Sequence, residues 1–219
     1  FIGSAIAQEL NMRGRMDLLI VDDINHPEKE KNITSIKYQE LRGINSFLGE
    51  IIERDINSIE AIIHMGACSS TTETDEKFLT KNNYHYTRHL ATYALEKGIR
   101  FIYASSAATY GSGEMGYSDD ESKLNKLKPL NFYGESKHKF DIWAESQGIL
   151  DRVVGLKYFN IFGPNEYHKE NMQSMVRKGF IQAKEKNKIC LFKSYKKEYK
   201  DGEQERDFLY INDAVNMTL

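Results

Sequence analysis

Short apolar runs alternate with amphipathic, helix-length stretches along these 219 residues, and that rhythm constrains the fold most strongly. Asp17-Leu-Leu-Ile-Val-Asp-Asp23, Ala61-Ile-Ile-His-Met-Gly-Ala67 and Ile99-Arg-Phe-Ile-Tyr-Ala-Ser-Ser106 are nearly continuous apolar runs, as expected of strands covered on both faces. Between them, residues 1–14, Ile44–Arg54 and Asp75–Gly98 carry helical spacing. Ile2, Ile6 and Leu10 share a face, and Gly14 and Gly98 are placed to end their helices. The alternation predicts an α/β fold with a doubly wound parallel sheet, because parallel strands need a helix-length return. Further along, the pattern predicts a helix from Asn131 to about Gly148 and a strand running from Asp151 through Val153-Val-Gly-Leu156 to Gly163. It then predicts a helix from Met172 to about Asn187, a strand over Ile189–Phe192, and a short strand within Glu205–Asp213 that enters a helix.

Composition narrows the function classes. The formal net charge of -2 gives no reason to expect nucleic acid. No apolar run approaches the ~20 residues of a membrane span, and no signal-peptide pattern is present. Cys68 and Cys190 form neither a CxxC nor a disulfide framework, which suits a reducing cytoplasm. With Phe1 first and a helix pattern running to Leu219, both ends read as cut, so the segment is expected to be the middle of a larger protein, inactive by itself.

Ligands of open parallel sheets bind at the carboxyl ends of strands, and the chemistry-bearing residues cluster at those positions. Gly3 at a helix start, followed by a strand and Asp22, reads as the second half of a dinucleotide-binding unit. Asp22 and Asp23 would then hold a ribose hydroxyl; the alternative is a polar strand end entering a loop. The polar loop from Ile24 to Asn32 carries Lys29 and Lys31, either able to meet a 2′-phosphate, whereas the acids favour a free 2′-hydroxyl. The small residues Gly66, Ala67 and Ser69 let a flat cofactor lie against backbone, although Cys68-Ser-Ser-Thr-Thr-Glu73 also reads as a capped turn. Ser105 and Ser106 reach the same edge. Tyr133 and Lys137, at i and i+4, lie on one helix face, and the ammonium is expected to favour the phenolate, making an acid/base pair. His85 and His89 share the spacing of a zinc pair but lack the glutamate and a third ligand, so no metal is expected. His64 reads as a satisfied core histidine. The basic run Lys193, Lys196, Lys197 and Lys200, interleaved with Glu198 and Asp201, reads as a solvated turn.

Taken together, Phe1-Ile-Gly-Ser4, Ser105-Ser106 with Tyr110-Gly111, Tyr133-x-x-x-Lys137, Tyr158-Phe-Asn-x-x-Gly-Pro164 and Arg206-Asp-Phe-x-Tyr make the chain resemble the extended short-chain dehydrogenase/reductase superfamily. Within it, Gly66-Ala-Cys-Ser-Ser-Thr-Thr-Glu73, Asn82-Asn-Tyr84 and the His168-Lys169 pair look most like the ADP-glyceromanno-heptose 6-epimerases. The resemblance implies a Rossmann-type doubly wound sheet over residues 1–160, with residues 161–219 holding part of a smaller C-terminal substrate-binding lobe. It implies a tightly held NADP, with NAD as the alternative, a small-molecule ADP-heptose substrate and a homo-oligomer, in bacterial lipopolysaccharide core synthesis.

Carried onto this sequence, the resemblance makes Tyr133 and Lys169 the two acid/bases, with Lys137 on the nicotinamide ribose and Ser106 on the reacting oxygen. Gly3, Asp22, Asp23, Lys29, Met65, Gly66, Ala67, Cys68, Ser69, Asn82, Ile161 and Lys169 would join Lys137 in the cofactor site. Asn160, Asn171, Lys178, Phe192, Lys193, Ser194, Tyr195 and Arg206 would take the sugar nucleotide, the guanidinium suiting a diphosphate. The sugar C6–H is not acidic, so epimerisation there calls for oxidation to a 6-keto sugar that turns and is reduced on its other face. The competing enzyme readings are a UDP-sugar 4-epimerase and a dehydratase; Ala107 and Ala108 replace the Asp-Glu that a dehydratase typically carries after the active-site hydroxyl. A cofactor-sensing regulatory protein is the reading from another class, and the presence of both Tyr133 and Lys137 counts against it.

Overall fold

In the computed structural model, which describes residues 1–23, 27–53, 58–195 and 197–219, the alternation resolves into parallel pairing. Helix α1 (Ile2–Met12) leads into β1 (Leu19–Val21), which pairs with β2 (Glu40–Arg42) across the short helix α2 (Pro27–Lys31). Helix α3 (Ile44–Glu53) follows. Then β3 (Ala61–His64), β4 (Arg100–Ser106) and β5 (Val153–Tyr158) form the central sheet in that order, while β6 (Asn160–Phe162) pairs with β7 (Phe208–Tyr210). Every pairing among the described residues is parallel.

The helices between these strands start and stop where side chains supply the missing hydrogen bonds. The 75–98 stretch is one rod: α4 (Glu76–Leu79), a wide π turn over Thr80–His85, and α5 (Tyr86–Lys97). Asp75 caps its start by accepting from the Phe78 amide, and Gly98 ends it at φ 68°, a left-handed position that favours glycine. Helix α6 (Phe132–Ser146) is capped by Asn131, whose side chain accepts from Gly134 N at 2.8 Å. Helices α7 (Met175–Lys186) and α8 (Ile211–Thr218) complete the set.

Neighbouring residues of β3 show how both sheet faces are covered. Ile62 joins a core with Phe47 and Ile51 of α3, Leu90 and Ala94 of α5, Phe101 and Tyr103 of β4, and Phe140 and Ala144 of α6. Ile63 packs instead into a second core with Ile6 of α1, Ile161 of β6 and Ile211, Ala214 and Val215 of α8. Successive strand residues point to opposite faces, so α3, α5 and α6 cover one side and α1 and α8 the other, which is the doubly wound arrangement. Tyr103 and Phe140 meet edge to face at 4.6 Å, a geometry that adds about 1 kcal/mol to burial and ties α6 to β4.

The structure departs from the sequence expectation in four places. The single strand expected over Asp151–Gly163 begins in a 3-10 turn, Leu150–Arg152, and is broken at Phe159 into β5 and β6, which pair in different sheets. Residues 27–31 of the expected loop form α2, with Pro27 at a first helical position where its missing N–H costs nothing. Strand β2 is short and polar, so it carries no apolar signal. Ile189–Phe192 pairs with no strand: Ile189, Leu191 and Phe192 are exposed, and the Cys190 amide donates to Gln182 Oε1 at 2.8 Å. The run is apolar enough for a strand, yet no edge among the described residues pairs with it. Residues 24–26 of the expected loop, the Arg54 end of the expected helix, and Lys196 of the basic run lie outside the described residues.

Candidate active site

Ser106 ends β4, and its hydroxyl accepts from Ala108 N at 3.1 Å, capping the turn that follows. The first turn of α6 lies directly against that turn. A Cβ on Gly134 would sit 2.9 Å from the Ala108 carbonyl, so glycine is what permits this approach. The consequence is that the Tyr133 hydroxyl, one residue away, is brought beside the Ser106 side chain, whose hydroxyl favours the phenolate.

One turn along α6, Lys137 is only 4 % exposed, and its ammonium makes no hydrogen bond to another described residue. Burial brings this lysine down to about 8, with the Asp141 carboxylate pulling the other way. Burial also pushes the Tyr133 phenol up, against the hydrogen bond from Ser106. That corrects the expectation of a phenol lowered by Lys137: in these dry surroundings the neutral phenol wins.

Behind the pair, His64 of β3 is buried, with Nε2 3.0 Å from Thr87 Oγ1. Thr87 donates its own proton to Asn83 O at 2.6 Å, so His64 must be the donor in their contact. Burial, and then Lys137, lower this histidine from 6.5 to about 3. The unfolded chain therefore binds a proton that the folded one refuses, and stability present above pH 6.5 is lost as pH falls through that window. His64 is a satisfied core histidine.

The π turn supplies a residue that sequence reasoning did not single out. Asn83 is 0 % exposed; its Oδ1 accepts from Cys68 N at 2.9 Å, and its Nδ2 donates to Cys68 O and Ser136 Oγ, both at 3.0 Å. Ser136 in turn donates to the Tyr133 carbonyl at 2.7 Å. One amide thus clamps the turn after β3 to the helix that carries Tyr133 and Lys137. Asn82, its neighbour, is half-buried. The doublet is visible in the sequence, but the choice between its members is set by the π turn, which has no sequence signature. Replacing Asn83 with Ala takes the partner from the half-buried Cys68 amide and carbonyl, while Ser136 keeps its bond to the Tyr133 carbonyl, so the expected loss is about 1–3 kcal/mol. Urea unfolding of the variant should show that loss; a change within about 0.5 kcal/mol would mean that the clamp carries no stability.

The other expected cofactor residues fall into two groups. At the end of β1, Lys29 Nζ lies 2.6 Å from Asp22 Oδ1 and 3.2 Å from the Asp23 carbonyl. Asp23 Oδ1 accepts from Ile44 N at 3.0 Å and so caps α3. At the start of α1, a Cβ on Gly3 would be 3.9 Å from Met65 Cβ, and Phe1, Ile2, Met65 and Ile161 belong to one apolar cluster. Lys169 joins this second group, with Nζ 5.0 Å from the centre of the Phe1 ring. Gly66 and Ser69 are exposed, and Ala67 and Cys68 half-buried, in the turn held by Asn83.

Lys169 is carried on a 3-10 turn, Tyr167–Met172, whose anchor is Glu166. That carboxylate is 1 % exposed and accepts from Gly163 N at 3.4 Å, Ser174 N at 2.6 Å and Ser174 Oγ at 2.8 Å. Burial lowers the Lys169 ammonium, Glu166 opposing. Glu170, next in the chain, sits at φ 44°, a strained position for a side-chain-bearing residue.

The expected sugar-nucleotide residues are held by local bonds. Lys178 donates to Asn171 O at 2.6 Å, Asn160 to Asp207 O at 3.0 Å and Arg206 to Glu205 O at 2.6 Å. Ser194 N donates to Asp201 at 2.7 Å within the loop that also exposes Phe192, Lys193 and Tyr195. Among the described residues, no hydrogen bond joins these side chains directly to Tyr133 or Lys137.

Known proteins match the chain along nearly its whole length. The model of the NAD dependent epimerase/dehydratase family matches residues 1–219. The ADP-L-glycero-D-manno-heptose-6-epimerase of Nitratidesulfovibrio vulgaris is 45% identical over 99% of this chain and 68% of its own length. The enzyme of the same name from Fusobacterium nucleatum is 49% identical over 99% of this chain and 66% of its own. Among solved structures, the Helicobacter pylori ADP-L-glycero-D-manno-heptose-6-epimerase superposes with a TM-score of 0.84 at 29% identity, covering 100% of this chain and 68% of that one.

Proposed function

This chain belongs to the NAD dependent epimerase/dehydratase family, and we propose that it inverts C6 of an ADP-activated heptose, interconverting the D-glycero- and L-glycero-D-manno forms. The observation that carries the chemistry is the buried residue Lys137, whose ammonium has no hydrogen-bond partner among the described residues, one turn from a tyrosine whose hydroxyl lies beside the Ser106 side chain. A buried charge is costly unless something accepts its protons, and the ribose hydroxyls of a nicotinamide cofactor are acceptors of the right kind. The exposed Gly3 and Gly66 leave backbone open to a flat ligand, so the residues fit the group. When bound, the cofactor supplies the oxidation and reduction that no side chain can perform.

The remaining work falls to the chain's own residues. Tyr133 moves the proton of the C6 oxygen, with Ser106 orienting that oxygen and the phenol. Lys137 holds the ribose. Lys169, on its anchored turn, serves the oxygen when the sugar presents its other face. Asp22, Asp23, Lys29, Met65–Ser69, Asn82 and Ile161 line the cofactor, with the Lys29–Asp22 pair offering both a cation for a 2′-phosphate and an acid for a 2′-hydroxyl. NADP is the cofactor in this reading, with NAD as the alternative. Asn160, Asn171, Lys178, Phe192–Tyr195 and Arg206 take the sugar nucleotide.

The same reading divides the chain into a cofactor domain, residues 1–160, and a region leading into the substrate lobe, residues 161–219. It places the enzyme in the cytoplasm as a homo-oligomer, at the step that supplies heptose for the lipopolysaccharide core. No helix among the described residues is long and apolar enough to cross a membrane. The test is an assay of the full-length protein on ADP-D-glycero-D-manno-heptose beside UDP-galactose. Conversion of the heptose is expected; turnover of UDP-galactose alone would overturn the substrate assignment.

A further inference from the structure

Helix α6 carries a third polar residue on the face that bears Tyr133 and Lys137. Asp141 lies one turn beyond Lys137 and is 2 % exposed. Both of its oxygens are used: Oδ1 accepts from the Tyr103 hydroxyl at 2.9 Å, and Oδ2 from Ser105 Oγ and Lys157 Nζ, both at 2.8 Å. Lys157 also donates to Thr109 Oγ1 at 2.7 Å, and Thr109 to the Ser106 carbonyl at 2.8 Å. A continuous hydrogen-bonded path therefore runs from the middle of α6, through β5, to the backbone of Ser106, with a branch to Tyr103 and Ser105 of β4.

We propose that Asp141 is a positioning residue for the acid/base pair: it locks α6 onto β4 and β5 in the register that sets Tyr133 against Ser106, and it supplies the negative charge that keeps Lys137 cationic. This deepens the proposed function and rests on it. The geometry requires the first role, because Ser105 and Ser106 are adjacent and the carboxylate grips one while its network grips the other. The second role follows from position. Among the described residues, the ionisable groups near Lys137 are His64 on β3, Tyr133 one turn back and Asp141 one turn on, and of these Asp141 alone bears a carboxyl group. The groups facing Asp141 are Lys157 on β5, Tyr103 on β4, Tyr110 after it, and Lys137 and His138 on α6. Asp119, Asp120, Glu121 and Lys123 line a cavity of about 280 Å³ shared with Asp141 and Lys157. Lys157 is the direct counter-ion, so the charge reaching Lys137 is what Asp141 retains after that pairing.

The experiment turns on sign. Asp141→Asn removes the negative charge; Lys157→Met removes its counter-ion and leaves Asp141 more strongly felt. In the full-length enzyme the alkaline limb of the kcat profile should move down by about one pH unit in the first variant and up in the second. Asp141→Asn should also lower kcat about 10–100-fold, as a small misplacement of reacting groups does. A purely structural role would cost rate in both variants with the limb unmoved, and that result, or shifts of the same sign, would overturn the proposal. Should Asp141→Asn fail to fold, because a lone charge is left in a buried pair, the double variant removes both charges; its limb must lie below that of the wild type, and one at or above it would overturn the proposal. The Lys137 titration, followed by NMR of lysine-labelled enzyme and identified with Lys137→Met, reads the same shifts without turnover. Failure of the wild type on ADP-heptose would sink the proposed function, while the NMR titration still decides the role of Asp141.

Discussion

Tyr133→Phe should lower kcat about 10²–10⁴-fold, the range for loss of a positioned acid/base, while KM changes little. The ring stays, so the packing of the first turn of α6 against the Ala108 carbonyl is kept; what goes is the hydroxyl that meets Ser106. The buried surroundings that raise the phenol explain why the loss should be large. A neutral tyrosine is a good acid for a developing alkoxide. Removing the hydroxyl leaves the ammonium with no proton-transfer partner, and solvent is a poor substitute in a site this dry. Steady-state kinetics on the heptose substrate check it: a variant within about fivefold of wild type would take Tyr133 out of proton transfer, given the range above.

Lys169 carries the second large effect. Lys169→Met should abolish most epimerisation, by about 10²-fold or more, and Lys169→Arg should do nearly the same. Arginine keeps the cation but cannot give up its proton near neutral pH, so the pair of variants separates charge from acid/base work. Burial, which lowers the Lys169 ammonium, makes the neutral amine accessible to catalysis. The Glu166 anchor and the strained Glu170 show a turn built to hold this lysine in place. If Tyr133 and Lys169 serve opposite faces in one cycle, either single variant already blocks conversion, and the double variant should be little worse than the poorer single one. Near-normal epimerisation by Lys169→Arg would reduce the residue to an electrostatic role, and multiplicative losses in the double variant would argue against one shared cycle.

The layers of the fold were readable because strand and helix periodicities differ and because Gly98, Asp75 and Asn131 mark element ends by side-chain chemistry alone. The Tyr133, Lys137 and Ser106 cluster was readable for a related reason: spacing on one helix and position at one strand end are both local properties. Asn83, Glu166 and Asp141 were not, since each draws its meaning from partners far off in sequence. Asn83 bonds Cys68 and Ser136; Asp141 bonds Tyr103 and Lys157. The direction of the Tyr133 shift failed for the same cause. Sequence shows which charge is adjacent, whereas burial is a property of everything packed around it. The Ile189–Phe192 expectation failed because a strand needs an edge to join, and periodicity cannot say whether one is there.

The Asn83 amide also governs how this site comes apart. Among the described residues, the turn after β3 and α6 have no backbone hydrogen bond in common, yet both are bound to one side chain with no exposed surface. The half-buried Cys68 amide stays bonded while that side chain is in place, and the side chain cannot leave without releasing Ser136 on α6. Local opening of that turn is thereby tied to loosening of α6, so the two should exchange their amide protons as one cooperative unit rather than as two independent segments.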